Sequence, residues 1–157
     1  MFETAEVGAS LSDAAFRDIK DRLRLDLIEH QQSLRTADMP AIVILSGVKG
    51  AGVIDTANLL NTWMDPRWIA TTAFDDPSDE ERERPLFWRY WRSLPAAGAM
   101  GLYIGGWYND PIACLCDRSA SRAAFDEWLV RIKTFETMLA DEGALILKFW
   151  LHLSKAE

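Results

Sequence analysis

Apolar and polar positions along the chain follow two patterns, one typical of helices and one typical of buried strands, which alternate along the sequence. Residues 12–35 carry apolar side chains at helical spacing behind Ser12, which can cap a helix, and a second helical pattern covers 53–64. The segment AIVILSG, residues 41–47, is a continuous apolar run between a proline and a glycine, which is typical of a strand buried on both faces. Further strands are predicted at 68–74, 100–108 and 144–153.

Helical patterns lie between these strands. They begin near Glu80, continue over 87–94, and end with a long helix over 120–141 whose apolar residues recur at three- and four-residue steps. Strands that alternate with helices predict βαβ units with right-handed crossovers. We therefore expect residues 1–157 to form a single three-layer α/β/α domain. Its sheet should be mostly parallel, with about four strands and 41–46 at the centre.

The turn after the first strand has the outline of a phosphate-binding loop. That loop follows the pattern G-x-x-x-x-G-K-[ST], and Gly47 and Gly52 occupy its two glycine positions. Val53 stands where the pattern has lysine, and Ile54 where it has a hydroxyl. We expect Gly52 to allow a close packing of the turn that a side chain would block.

Each candidate in the loop has a functional and a structural interpretation. The main chain of Gly47, Gly50 and Gly52 forms either an anion cradle or a bare turn, because N–H groups at a helix start attract anions without help from side chains. Lys49 either supplies the missing charge or faces solvent. Asp55 either holds a magnesium ion or simply suits the positive end of the helix dipole. Lys49 and Asp55 are weak catalytic candidates.

Composition limits the classes of function. The apolar fraction of 49% and the charged fraction of 26% are those of an ordinary globular domain. A net charge of −7 argues against a nucleic-acid partner, which requires a basic face. The sequence has no signal peptide and no apolar stretch of membrane-spanning length, so we expect a cytoplasmic protein without a membrane partner. Cys114 and Cys116 lack a second pair of ligands, and no metal site is expected.

Several segments, in order, resemble the polyphosphate kinase 2 family, and most closely the N-terminal half of its duplicated polyphosphate:AMP phosphotransferases. They are SGVKGAG (46–52), NTWMDPRW (61–68), PSDE (77–80), FWRYWRSLPAAG (87–98), GWYND (106–110) and FETMLADEGALILKFWLHLSKAE (135–157). The resemblance implies a P-loop kinase-like fold. It also implies transfer of a phosphoryl group between polyphosphate and a nucleotide, with magnesium.

Departures from the family pattern fall on its charged residues. The family's active loop has an aspartate three residues before the second glycine and a lysine after it, where this chain has Lys49 and Val53. The family's second motif reads D-R-S-W-Y-N-R, and here Ile104, Gly105 and Asp110 replace its aspartate, first arginine and last arginine. The family also continues, beyond the position of residue 157, into an arginine-rich lid. We therefore expect no useful turnover and no tightly bound magnesium.

Two functions remain open. The first is a degenerate half that acts as a structural and docking module beside a second copy of the same fold, in the full-length protein or a homo-oligomer, and helps guide polyphosphate. The second is an active nucleotide kinase in which Lys49 and Asp55 take the main roles. Arg67, Arg89 and Arg92 are candidates to line a polyphosphate channel. Their alternative is ion pairing with Asp75, Asp76 and Glu80–Glu83.

Overall fold

The structure is a computed structural model that describes residues 10–153, and it contains the alternation of elements predicted above. The two ends of the chain, including residues 154–157 of the last quoted segment, lie outside the described residues. The helices are α1 (Asp13–Ala37), α2 (Val53–Trp63), α3 (Asp79–Glu83), α4 (Trp88–Trp91), α5 (Asn109–Cys116) and α6 (Arg122–Asp141). The strands are β1 (Ala41–Gly47), β2 (Ile69–Ala73), β3 (Met100–Ile104) and β4 (Leu145–Leu151).

The four strands form one parallel sheet in the order β2-β3-β1-β4. Ala41 at the start of β1 lies beside Met100 of β3 and Leu145 of β4, and Met100 lies beside Ile69 of β2. The carboxyl ends of all four strands therefore meet at one edge of the sheet. The predicted parallel sheet with β1 at its centre is confirmed.

Helices cover the two faces of the sheet and produce three layers. On one face, Val43 and Leu45 of β1 pack in an apolar cluster with Ala57 of α2 and Leu34 of α1. On the other face, Ile42 and Ile44 pack with α4 and α6 in a cluster rich in aromatic rings, including Tyr90, Tyr103, Trp107 and Phe135. Residues 41–46 are buried throughout, because both faces of β1 are covered.

Two predicted elements are shorter in the structure. The helix predicted over 87–94 is the single turn α4, which lies between Pro85 and Pro95. The strand predicted over 100–108 ends at Ile104, because Gly105 adopts a left-handed φ of 77° that an extended strand cannot contain. None of the helices described between residues 10 and 153 is long and apolar enough to span a bilayer.

Helix α5 has no counterpart in the sequence analysis. It begins at Asn109, and Pro111 occupies its first turn, where the missing N–H of proline costs no hydrogen bond. The signal was present in the sequence, since a proline after two turn-forming residues is compatible with a helix start.

Strand β4 forms an edge of the sheet and is only partly covered. On the face that α1 and α2 cover elsewhere, Leu145, Leu147 and Phe149 remain 37%, 39% and 52% exposed. These side chains share the face of Ala41, Val43 and Leu45, to which they are directly paired. An exposed apolar row of this kind is unusual on an isolated domain.

Candidate functional site

A cleft of about 390 Å³ opens at the carboxyl edge of the sheet, between the loop after β1 and the ends of β2 and β3. This is the edge at which parallel α/β folds bind ligands. The loop and the start of α2 form one wall. The other lining residues come from the end of β1, the end of β2, the end of β3 and the start of α5: Leu45, Ser46, Phe74, Asp75, Ile104, Gly105 and Asn109.

The loop keeps the backbone shape of an anion cradle. Gly50 and Gly52 adopt left-handed φ values of 89° and 79°, and the N–H of Ala51 donates to the Val48 carbonyl at 3.1 Å. Gly52 is the N-cap residue of α2, and no side chain caps the helix. The first N–H groups of α2 therefore remain available at the cleft.

The two glycines of the loop pattern have different structural reasons. A Cβ at Gly47 would lie 2.3 Å from the Leu151 carbonyl oxygen, so the absence of a side chain lets β1 approach β4. A Cβ at Gly52 would meet nothing within 4 Å. The expectation that Gly52 permits close packing is therefore wrong. Its φ of 79° is the constraint, because an L side chain strains this conformation.

Lys49 and Asp55 both line the cleft and are exposed. Asp75, at the end of β2, adds a second carboxylate that the sequence analysis did not place here. Within the described residues, neither Lys49 nor Asp55 forms an ion pair with another side chain. The described lining residues thus carry two carboxylates and one ammonium group. Their net charge is negative, which disfavours binding of a polyanion.

The floor of the cleft is apolar. Val53 and Ile104 both pack against the cluster that contains Leu45 and Leu102. These are the two positions at which the family pattern has a lysine and an aspartate. In this chain the two side chains contribute to the core of the domain, and no charged group takes their place at the floor.

The end of β3 is closed by polar contacts. Ser46 donates a hydrogen bond to the Oδ1 of Asn109 at 3.0 Å, and the Nδ2 of Asn109 lies 2.6 Å from the place of a Cβ on Gly105. The Phe74 carbonyl oxygen lies 3.3 Å from the same point. A side chain at Gly105 would need both a strained φ and the displacement of Asn109, so an arginine does not fit there.

The three arginines predicted for a channel lie in different places. Arg67 forms an ion pair with Asp65 at 2.6 Å, and hydrogen bonds from Arg67 hold the pKa of that carboxyl at about 2. Because Arg67 precedes β2, it lies at the amino edge of the sheet, opposite the cleft.

Arg89 and Arg92 lie on α4 and its cap, nearer the cleft. Arg89 is largely buried, donates to the Asp75 carbonyl at 2.8 Å, and has its Nε 3.5 Å from Glu81. Arg89 therefore stabilises the position of Asp75 in the cleft wall without lining the cleft itself. The Arg92 guanidinium lies 4.6 Å from the centre of the Trp88 ring. The structure brings Lys49, Asp55 and the loop glycines together, and leaves these arginines outside the cleft lining.

Asp110 stands where the family pattern has its last arginine. Burial raises the pKa of this carboxyl above its usual range, nearby Arg89 lowers it, and Asp76 raises it further. The region beside the cleft thus carries a partly desolvated acid.

A polar network around Glu136 was not predicted. Trp107 Nε1 and the Tyr108 hydroxyl each donate to its Oε1 at 2.9 Å, and Lys148 Nζ lies 2.8 Å from its Oε2. Burial raises the pKa of the Tyr108 hydroxyl. The network ties α6 and β4 to the segment after β3. No local pattern indicates this network, because Glu136 lies 29 positions from Trp107, 28 from Tyr108 and 12 from Lys148.

The cleft offers few ligands for a metal ion. In residues 10–153 no three His, Cys, Asp or Glu side chains are grouped so that they could hold a metal together. Magnesium often takes only one or two protein carboxylates when substrate phosphates supply its other ligands. Asp55 and Asp75 are the carboxylates of the lining, and Ile104 occupies the strand end. Asp55 and Asp75 are therefore the residues of the cleft that could hold magnesium together with substrate phosphates.

Comparison with protein families and curated proteins gives one consistent result. The family model described as Polyphosphate kinase 2 (PPK2) matches residues 10–157. The chain is 44% identical over its whole length to a polyphosphate:AMP phosphotransferase of Pseudomonas aeruginosa, and 42% identical to one of Pseudomonas syringae pv. tomato. In both cases the match covers 32% of the relative, so the chain spans about a third of the length of these proteins.

Solved structures agree with this result. A crystal structure described as a polyphosphate kinase 2 from Pseudomonas aeruginosa superimposes with a TM-score of 0.93 at 44% identity, over 99% of this chain and 34% of that one. A polyphosphate kinase 2 from Arthrobacter aurescens superimposes with a TM-score of 0.87 at 26% identity, over 96% and 55% of the two chains. The P-loop kinase-like fold implied by the resemblance is therefore confirmed.

The different roles of the two glycines lead to a test of stability. Gly47→Ala is expected to lower the free energy of unfolding by about 2–3 kcal/mol, because the added methyl group meets main-chain atoms that cannot rotate away. Gly52→Asn should lower it by less than about 1 kcal/mol, because asparagine tolerates a left-handed φ. Urea denaturation of the two variants measures the difference. Equal losses would contradict the assignment of a steric role to Gly47 alone.

Proposed function

Because the chain belongs to the polyphosphate kinase 2 family, whose model matches residues 10–157, we propose that it is a catalytically degenerate half of a longer, two-copy protein. Its role is that of a structural and docking module that supports an active copy of the same fold. The observation that carries the proposal is the packing of Val53 and Ile104 in one apolar cluster at the cleft floor. The cytoplasmic location expected from the sequence is part of this proposal.

The chemistry of phosphoryl transfer explains why that packing matters. Transfer of a phosphoryl group depends on cations and metal ligands that neutralise charge on the transferred group. Valine and isoleucine supply neither, and loss of one such group typically costs about 3–4 kcal/mol of transition-state stabilisation. The acid at Asp110 and the obstruction at Gly105 add to this cost. No step of the proposed role runs through magnesium.

Partner binding is supported by the extent of the relatives and by β4. The similar polyphosphate:AMP phosphotransferases are about three times as long as this chain, which leaves room for a second copy of the domain. Leu145, Leu147 and Phe149 form an apolar row suited to cover by another part of the protein or by a second chain. A homo-oligomer is the arrangement expected if the active copy belongs to another molecule.

Weak phosphate binding is a second element of the proposal. The uncapped start of α2 and the left-handed glycines favour an anion at the N–H groups of residues 50–53. Among the described residues that line the cleft, Lys49 is the one cation, and its ammonium group would assist by attracting the phosphate. Arg92 is retained as a candidate to guide polyphosphate past the cleft, whereas Arg89 is not, because it is largely buried and contacts Glu81 and the Asp75 carbonyl. Arg67 is not retained, because it lies at the other edge of the sheet.

The alternative is an active kinase in which Lys49 and Asp55 replace the missing groups. The observation in its favour is that both side chains line the same cleft as the loop. It requires Lys49 to act from a different loop position than the family's lysine. The two functions differ in whether the chain turns over substrate by itself.

Activity of the purified chain distinguishes the two functions. With polyphosphate, magnesium and AMP or ADP, we expect no phosphorylated nucleotide above the background of a preparation that carries Asp55→Ala. The reason is the apolar floor, which leaves charge on the transferred phosphoryl group without neutralisation. Product that grows in proportion to the protein and disappears in Asp55→Ala would establish the alternative.

Titration with tripolyphosphate tests the loop separately from catalysis. Val53→Lys is expected to tighten binding roughly ten- to a hundredfold, the effect of one well-placed charged hydrogen bond. Lys49→Ala should weaken the binding of the unmodified loop. Calorimetry of the parent chain and the two variants gives the comparison. Three indistinguishable titrations would mean that Gly47 to Gly52 is a structural turn without phosphate binding.

A further inference from the structure

A second concave site lies at the opposite edge of the sheet from the phosphate-loop cleft. It is a groove of about 420 Å³ between α4, the turn after it, and the end of α6, and we call it the α4–α6 groove. Its lining comes from the start of β1, from α4 and its turn, and from the end of α6, and includes Trp91, Pro95, Met138, Asp141 and Glu142. None of these residues takes part in the cleft described above.

The walls of the groove are apolar and firmly supported. Trp91 and Met138 stay 48% and 45% exposed, although both are large apolar side chains. Trp91 packs edge-on against the buried ring of Phe135, with 5.2 Å between ring centres, a contact that favours its present orientation. Pro95 fixes the backbone on the other side. The groove is a preformed slot for an apolar side chain, and exposed aromatic residues are common anchors of binding surfaces.

The rim of the groove carries negative charge that the described structure does not neutralise. Asp141 ends α6 and Glu142 caps it, and the last turn of this 20-residue helix has no basic residue. The carbonyl end of a helix is itself the negative end of its dipole, so two acids there are unfavourable. Within residues 10–153 neither carboxylate forms an ion pair. A bound cationic group would remove this repulsion.

We propose that the α4–α6 groove is a docking site for a basic amphipathic segment of a partner protein. An apolar side chain of the segment enters between Trp91 and Met138, and a neighbouring arginine or lysine pairs with Asp141 or Glu142. Charge complementarity distinguishes this site from the bare face of β4, where the exposed residues are apolar and do not identify a partner. The inference does not depend on whether the phosphate-loop cleft is active.

A labelled peptide tests the combination of an apolar anchor and a positive charge. The probe is a short fluorescein-labelled helix-forming peptide with leucines along one side and arginines beside them. One control peptide has glutamate in place of each arginine, and another has serine in place of each leucine. Fluorescence anisotropy with the purified chain should detect binding of the first peptide only, because each control lacks one half of the complement.

Variants of the chain then locate the binding. Asp141→Asn combined with Glu142→Gln should weaken binding roughly fivefold at low salt, as expected for two rim charges. Trp91→Ala should weaken it by about tenfold or more, as expected for an aromatic anchor. Asp18→Asn combined with Asp21→Asn is the matched control, because it removes the same charge from exposed positions of α1 on the other side of the sheet. It should leave the affinity unchanged.

Three results would overturn the proposal. They are binding of the glutamate peptide as tight as that of the arginine peptide, an equal loss of affinity in the α1 control, and no binding of any peptide at concentrations up to about 1 mM. Circular dichroism reports whether Trp91→Ala remains folded. If it unfolds, the surface substitutions at Asp141 and Glu142 still decide the outcome, because they change exposed side chains outside the core.

Discussion

The position of β1 is the constraint on which the rest of the domain depends. This strand is buried on both faces and is paired along its length with β4 and, over residues 41–45, with β3. Its pairing places Ala41 beside both Met100 and Leu145, so β1 runs parallel to its two neighbours in one defined register. The loop after Gly47 and the start of α2 therefore lie at the carboxyl edge of the sheet. This position does not depend on the side chains of the loop.

Under the proposed function, this constraint explains how the shape of a phosphate-binding loop can be kept without its catalytic side chains. Gly47 is required by the approach of Leu151, and Gly52 by its backbone conformation, and neither requirement involves a ligand. Val53 and Ile104 line the cleft and also pack against the core cluster, where they stabilise the fold without supplying charge. Selection for folding alone would keep the glycines and would favour apolar side chains at these two positions.

Much of the fold could be predicted from the sequence, because it follows from local patterns. The apolar run of β1 and the alternation of strands with helices were sufficient for a parallel three-layer domain. The early end of β3 could not be predicted in the same way, since it depends on the left-handed φ of Gly105, whereas Pro111 did carry a local signal for the start of α5.

The candidate site could be predicted only in part, because some of its residues are neighbours in sequence and others are brought together only by the tertiary structure. The loop glycines, Lys49 and Asp55 lie together because they are neighbours in sequence. Asp75, Asn109 and the Glu136 network reach their places through tertiary structure, which spacing along one chain does not reveal. Arg67 was grouped with Arg89 and Arg92 by residue type, yet the topology places it at the opposite edge of the sheet.

The central claim is that the floor of the cleft now belongs to the apolar core. The most direct measurement is a double-mutant cycle on the free energy of unfolding with Val53→Lys and Ile104→Asp. In the absence of phosphate, each single substitution is expected to destabilise the chain by about 1–3 kcal/mol, because it introduces a charge without a partner beside apolar groups. The double variant should recover about 1 kcal/mol or more of the sum, because the two charges can pair. Single variants as stable as the parent chain would contradict the claim, because a floor that tolerates either charge is not part of the core.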